Sequence, residues 1–325
     1  SVSYIGYRSF FVIRQETAGL KLQIGEIQGK QLNPAEIERL RVAAKSVTRP
    51  EAAAGIIAQY DGSVCLIQGT YVFRDRASGK LLRLRGVGPE GEPRVDSSGS
   101  VELTLEGEGP PLENFHTGTG FLARSDGKIL TNRHVAQPWW ADPQAQKFVQ
   151  AGFLPQYRHF VAYFPRRGRP YALKALKVHP AADLAVLEVA STADLPPPIP
   201  LLETGQPRAG ESVLLIGYPL GLEALVAKAS AKELDQIPNL ANLTQEQVAE
   251  KLAERSLIQP FITQGHISNV TDEMLIYDAV TTLGGSGGPL FNLEGKVIAI
   301  NFAVLTQFTG ASMGIPIRHA LELMK

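Results

Sequence analysis

The sequence predicts an all-β protein carrying a helical insertion and an N-terminal α+β extension. Three observations support this. Short apolar runs of strand length recur at 62–73, 184–189, 212–219 and 297–300. Turn residues punctuate them: Ser125-Asp126-Gly127-Lys128 and Asn292-Leu293-Glu294-Gly295 each join two such runs as a hairpin. Helical patterning is concentrated in two places, before residue 49 and between 222 and 258.

Taken in order, residues 1–49 read as an extension. Phe10-Phe11-Val12-Ile13-Arg14 and Leu20-Lys21-Leu22-Gln23-Ile24 form two strands around Thr17-Ala18-Gly19. A helix then runs to about Lys45, with Asn33 at its cap and Pro34 in the first turn. Residues 50–200 form the next unit, which starts its strands at 62–73. Within it, 74–116 is rich in Gly, Pro and charge, with alternating patches at 81–85 and 101–105, and reads as an extended hairpin projecting from the body. Pro196-Pro197-Pro198-Ile199-Pro200 is a stiff crossing into the last unit, 201–325. That unit opens at 212–219. It is then interrupted by two expected helices, 222–237 and 245–256, the second capped by Thr244 with Gln247 three residues on. Val248, Leu252 and Leu257 mark one face of it. The insertion reads as a cover for barrel surface, or alternatively as a lid or docking element near a cleft.

Composition narrows the function classes. The 325 residues can bury a substantial core. Lys+Arg and Asp+Glu both number 32, so bulk charge predicts neither a nucleic-acid nor an anionic-membrane partner. No stretch approaches the roughly 18–20 apolar residues of a membrane span. Cys65, the one cysteine, lies in an apolar run and reads as a small core residue. His116, His159, His179, His266 and His319 follow no metal-ligand spacing, and no cofactor is implied.

The chemistry is carried by Thr282-Leu283-Gly284-Gly285-Ser286-Gly287-Gly288-Pro289-Leu290. Glycines flanking a serine let backbone N–H groups turn towards one point, where they can hold a developing oxyanion. Upstream, a hairpin delivers His134 at the end of its second strand, in Thr131-Asn132-Arg133-His134-Val135. Asp183 opens a near-continuous apolar strand, where an unpaired charge would be costly and an imidazole N–H is a natural partner. Singly, each has a plain structural reading as a tight turn, a core histidine or a strand cap. Together they stand in the order His, Asp, Ser, 49 and 103 residues apart. Gly284-x-Ser286-x-Gly288 also spells the nucleophile elbow of α/β-hydrolases, but that fold needs a helix after the serine and the order Ser, acid, His. Pro289, the hairpin after it and the lack of any aspartate beyond Asp278 exclude it. Gly86-Val87-Gly88-Pro89-Glu90-Gly91 matches a dinucleotide fingerprint by spelling only, since no βαβ unit surrounds it.

Thr131-Asn132-x-His134-Val135, Asp183-Leu184-Ala185-Val186-Leu187, Gly217-Tyr218-Pro219-Leu220-Gly221 and Gly284-x-Ser286-Gly287-Gly288 occur in one order. With Gly314-Ile315-Pro316-Ile317 near the end, they make the chain resemble the trypsin/chymotrypsin superfamily, and within it the HtrA (Deg) branch, over about 52–325. The resemblance implies a chymotrypsin-like double antiparallel β-barrel and a serine endopeptidase. In it, His134, Asp183 and Ser286 would form the triad, and the N–H groups of Gly284 and Ser286 the oxyanion hole. Its partners would be protein or peptide segments that are unfolded or flexible. Val280, where trypsin-like enzymes carry an aspartate, implies cleavage after small or medium aliphatic residues. Thr281, Leu283, Asn301, Phe302 and Ala303 would complete the pocket, and 301–303 would also pair with substrate backbone. Phe302 departs from the family's small hydroxyl residue, and Gly285 from the animal branch's aspartate. A PDZ domain is expected after such a unit and the sequence stops at Lys325, so coupling of peptide binding to activation does not carry over. The resemblance also implies a bacterial envelope or periplasmic setting, with a targeting segment ahead of Ser1. It further offers self-association through Tyr4, Tyr7, Phe10 and Phe11 as an alternative to local core. A catalytically quiet binding module and an esterase are the competing functions.

Overall fold

The structure is a computed structural model that describes residues 50–88, 93–97, 101–304 and 311–325. The strands, helix and aromatic run expected before residue 49 lie outside them. Two closed antiparallel six-stranded barrels dominate. The first is built from β1 (Val64–Asp75), β4 (Asn114–Leu122), β5 (Lys128–Thr131), β8 (Ala185–Val189), β7 (Pro170–Val178) and β6 (Phe153–Tyr163), which returns to β1. The second runs β10 (Phe261–Val270), β11 (Leu275–Tyr277), β14 (Ser312–Pro316), β13 (Val297–Val304), β12 (Pro289–Asn292) and β9 (Ser212–Gly217). Closure removes the unpaired edges that an open sheet would present. This is the chymotrypsin-like double barrel that the resemblance implies.

Alternation along β1 shows how the barrels join. Cys65 and Ile67 point into the first barrel with Leu122, Ile129 and Leu187. Val64 and Leu66 point the opposite way, into a second cluster with Leu214, Ile216 and Phe291 of the other barrel. α1 (Pro50–Tyr60) adds Ala53, Ile56 and Tyr60 to that cluster, with the Tyr60 ring stacked on Phe291 at 6.0 Å. The proline crossing is pinned at both ends. Ser63 Oγ donates to Pro197 O (2.6 Å), the Ile199 N–H to Leu122 O (2.8 Å) and the Val297 N–H to Pro200 O (2.9 Å).

Two elements differ from expectation. The excursion after β1 does not project as one long hairpin. Among its described residues it forms regular strands at β2 (Arg83–Leu84) and β3 (Leu103–Thr104), and it folds back on the first barrel. Leu82, Leu84 and Leu112 are buried with Phe73 of β1 and Ala145 of a later helix. Its sparse leucines find apolar partners on the barrel and on the helix that carries Ala145, and that burial outweighs solvation of the charged stretch. The helices following β5 are α2 (Arg133–Ala136), α3 (Pro138–Ala141) and α4 (Pro143–Gln150), the last contributing Ala145.

The insertion is also more broken than its apolar periodicity suggests. α5 (Gly221–Lys228) ends where Ser230 forms a capping box with Glu233, starting α6 (Ala231–Asp235). A 3₁₀ turn at Leu240–Asn242 leads to α7 (Gln245–Glu254), capped by Thr244 and Gln247 in the reciprocal manner read from the sequence. α7 lies on the outside of β1: Gln68 Nε2 donates to Gln245 O (3.0 Å) and Thr70 Oγ1 to Glu246 Oε1 (2.6 Å). Its Val248, Ala249 and Leu252 join the cluster between the barrels. α8 (Ile317–Leu323) closes the described chain, burying Ile317 and Ala320. No helix among the described residues is long and apolar enough to cross a membrane.

Because Leu252 is wholly enclosed in that shared cluster, Leu252→Ala removes transfer energy and leaves a void. We expect a loss of about 2–5 kcal/mol in urea unfolding. A change below about 0.5 kcal/mol would mean the insertion is detachable decoration.

Candidate active site

Strand register brings the first two groups together. β5 pairs with β8 at Thr131↔Ala185, so the residues leaving β5 run beside those entering β8. His134 follows in the one-turn helix α2 and Asp183 sits in the bend before β8. Asp183 Oδ2 accepts from His134 Nδ1 at 2.5 Å, and Oδ1 accepts from the His134 backbone N–H at 2.8 Å. Asn132 Nδ2 donates to the Asp183 carbonyl (2.8 Å), tying the start of α2 to the same bend. With a carboxylate on Nδ1 that nitrogen carries the proton, and Nε2 is the basic position.

Ser286 is held by a different set of bonds. Gly285 N donates to Thr282 O (3.0 Å) and Gly284 has φ +86°, the geometry of a type II turn with glycine at its third position. A Cβ there would lie 2.6 Å from Tyr218 O, so only glycine fits. The Leu283 carbonyl accepts from Leu220 N. A trans peptide sets its C=O and N–H on opposite sides, so the Gly284 N–H is aimed away from Leu220. Among the described residues no backbone carbonyl accepts from the N–H of Gly284 or Ser286.

Thr119 of β4 ties this turn to the first barrel. Its N–H donates to Ser286 O (2.9 Å), its Oγ1 donates to Gly284 O (2.8 Å), and Oγ1 accepts from Tyr218 N (2.9 Å). Thr131 Oγ1 donates to Thr119 O (2.7 Å), which continues the path to the strand that leads to His134. Nothing in residue type alone marked Thr119; its signal was the Gly118-Thr119-Gly120 spacing that leaves its backbone open to approach.

The residues expected around the substrate divide. Val280 and Thr281, with Gly217, Phe261, Thr263 and Gly285, line a cavity of about 10 Å³ that has no charged side chain on its wall. Leu283 is not among them; it stands at the tip of the turn, 52% exposed. Asn301, expected to line the pocket, is 1% exposed and turned inward. Its Nδ2 donates to Gly285 O (2.8 Å) and its Oδ1 accepts from Tyr277 Oη (2.5 Å), so it braces the serine turn from behind. Phe302 is half-buried against the cluster between the barrels, and its carbonyl accepts from Ser286 Oγ at 3.4 Å. The backbone of Ala303 pairs with Met313 in β14. No three His, Cys, Asp or Glu side chains among the described residues are grouped to hold a metal ion.

His116, on β4, lies under α2 rather than at the surface. Its Nε2 is 3.0 Å from Val135 O and burial pushes its imidazole down to about 4. An unfolded histidine titrates near 6.5, so between these values the unfolded chain binds the extra proton. Stability is therefore present above about pH 6.5 and is lost as pH falls towards 4. A pH series of melting temperatures should show that fall, flattened in His116→Gln; equal slopes would contradict the assignment. In the serine turn, Gly287 has φ +89° and a Cβ on it would sit 1.9 Å from Thr119 O. Gly287→Ala should cost more than about 2 kcal/mol in chemical denaturation.

Residues 118–300 match the model of the trypsin-like peptidase domain. A probable periplasmic serine endoprotease, DegP-like, of Hahella chejuensis is 33% identical over 219 residues, covering 66% of this chain and 36% of that protein. Serine protease HTRA2, mitochondrial, of Bos taurus is 28% identical over 220 residues, covering 68% and 37%. The chain thus spans about a third of the length of the curated relatives it matches. The crystal structure of the serine endoprotease from Yersinia pestis aligns at TM-score 0.48 and 19% identity, over 86% of this chain and 66% of that one. With the matched domain covering more than half its length, this chain belongs to the trypsin-like peptidase family, and its relatives include the DegP and HtrA serine endoproteases.

Proposed function

We propose that the protein is a serine endopeptidase that cuts unfolded or flexible protein segments through an acyl-enzyme. The observation that carries this is Asp183 holding both the backbone and the Nδ1 of His134, which leaves Nε2 as a base. Family membership supplies the reaction class. In this reading Ser286 Oγ attacks the scissile carbonyl while His134 Nε2 takes its proton. The carbonyl oxygen becomes an oxyanion received by the N–H groups of Gly284 and Ser286. His134 returns the proton to the leaving amine as the C–N bond breaks. Water, deprotonated by the same imidazole, then hydrolyses the acyl-serine.

Substrate preference follows from the cavity beside Thr281 and Gly285. It is narrow, lined by Val280, Thr281 and Phe261, and its wall offers no carboxylate to a basic side chain. We assign it to the side chain preceding the cut, favouring alanine and then valine. The Phe302 carbonyl is the nearest strand acceptor to Ser286 and would take the N–H of that same substrate residue. The names of the bacterial relatives support an envelope or periplasmic location.

Two measurements test this. A fluorophosphonate should label the protein and fail on Ser286→Ala, whose turnover of casein-like substrates should drop roughly 10⁴–10⁶-fold. Absence of labelling of the folded protein would favour a binding module, and turnover of activated esters alone an esterase. A peptide library should return small aliphatic residues before the cut; a preference for Lys or Arg would overturn the pocket assignment.

A further inference from the structure

A four-residue helix has no stability of its own. α2 spans Arg133–Ala136, yet it carries the imidazole on which the proposed chemistry depends. Its N-terminal side is tied to Asp183 through Asn132 Nδ2 and the His134 N–H. Its last carbonyls, Val135 O and Ala136 O, have no continuing helical turn to receive. The following residue, Gln137, bonds back to Arg133 O instead. Something else must hold that end.

Two half-buried side chains do so. Tyr157 Oη, from β6, donates to Ala136 O at 3.1 Å. His116 Nε2, from β4, lies 3.0 Å from Val135 O and 3.2 Å from Tyr157 Oη. A carbonyl only accepts, and the tyrosine proton is committed to Ala136, so the His116 proton resides on Nε2. Nδ1 is then a bare acceptor, which agrees with its being enclosed without a hydrogen-bond partner. The pair sits on a shaped bed. The Tyr157 ring stacks on Phe160 at 4.1 Å, and Trp139 of α3 lies 5.2 Å from Tyr157. Gly69 leaves the space: a Cβ there would lie 2.3 Å from His116 Cε1 and 2.7 Å from a Tyr157 ring carbon. Gly118 does the same for the helix, since a Cβ would come within 2.5 Å of Val135.

We infer that His116 and Tyr157 are positioning residues for the general base, capping the helix that carries His134 so that its imidazole keeps one orientation. The inference rests on the protease reading. Neither residue touches substrate; both act through the Val135 and Ala136 carbonyls. A core pair with no such role would affect melting temperature alone. A substrate subsite would affect KM.

The test uses Tyr157→Phe, His116→Leu and His116→Gln in the full chain. It measures the second-order rate of fluorophosphonate labelling at Ser286 together with kcat and KM on a cleaved peptide. Tyr157→Phe and His116→Leu should each slow labelling and kcat about tenfold with KM within about twofold. His116→Gln should recover most of the loss, because a glutamine N–H can reach the Val135 carbonyl. Folded variants that label and turn over at the wild-type rate would overturn the inference, as would a change confined to KM. If His116→Leu fails to fold, Tyr157→Phe decides, since it deletes one oxygen. A wild-type protein that does not label at all would overturn the protease reading itself, a result distinct from labelled wild type with unaffected variants.

Discussion

The residues proposed as catalytic come from separate barrels, so the distance between them depends on how firmly the barrels are joined at one point. Thr119 is that point. It is fully buried, and two of its polar groups make three bonds to the second barrel: N–H to Ser286, hydroxyl to Gly284, and hydroxyl again from Tyr218. Its carbonyl receives Thr131, at the end of the strand that delivers His134. Buried hydrogen bonds of this kind are worth little net when made and cost much when one partner is lost. Their contribution is therefore to uniqueness: any slide of one barrel against the other would strand several polar groups at once. Apolar burial between the barrels supplies the bulk of the attraction, and Thr119 selects one registration from those the apolar surface would allow.

The same logic explains why so many glycines surround the site. Gly284 and Gly287 meet backbone oxygens, Tyr218 O and Thr119 O, closer than a Cβ tolerates, and Gly285 meets the Thr281 hydroxyl. A turn hemmed in by backbone cannot relax by rotating side chains. Its peptide planes are fixed by Leu220 on one side and Asn301 on the other. In the animal branch a charged aspartate before the serine does the bracing after a cleavage event; here an uncharged amide, itself oriented by Tyr277, reaches the Gly285 carbonyl. Bracing by neutral hydrogen bonds is insensitive to salt.

Much of this was legible in residue order. The strand-rich character followed from short apolar runs between turn residues, the two barrels from the family resemblance, and the Asp183–His134 contact pairs two residues singled out by motif order. Asn301 was placed wrongly for a specific reason. The resemblance grouped Asn301, Phe302 and Ala303 around the substrate, but side chains alternate along a strand and the β13–β14 pairing shifts register between Asn301 and Ala303, so the three do not share a face. The split of the expected 222–237 helix was written in Ser230 and Glu233, but an apolar repeat running across the cap concealed it. The excursion after β1 was read as projecting because it is rich in Gly, Pro and charge; the partners of its leucines, Phe73 and Ala145, are supplied by other segments. Long-range pairing of this sort leaves no local signal.

One bond in the site must break before any chemistry. Ser286 Oγ donates to the Phe302 carbonyl at 3.4 Å, a long contact near the limit of a useful hydrogen bond. That carbonyl is the acceptor an incoming strand would claim, and an amide N–H from substrate would displace the hydroxyl from it. Once displaced, the serine proton needs another acceptor, and in the proposed mechanism that acceptor is Nε2 of His134, the ring nitrogen that Asp183 does not hold. Docking of substrate backbone and activation of the nucleophile are then one exchange of partners at a single oxygen. A side chain too large for the adjoining cavity would hold its own N–H away from Phe302, leaving the serine bonded where it rests. Selection for small residues would in this way act on the rate of acylation as well as on binding.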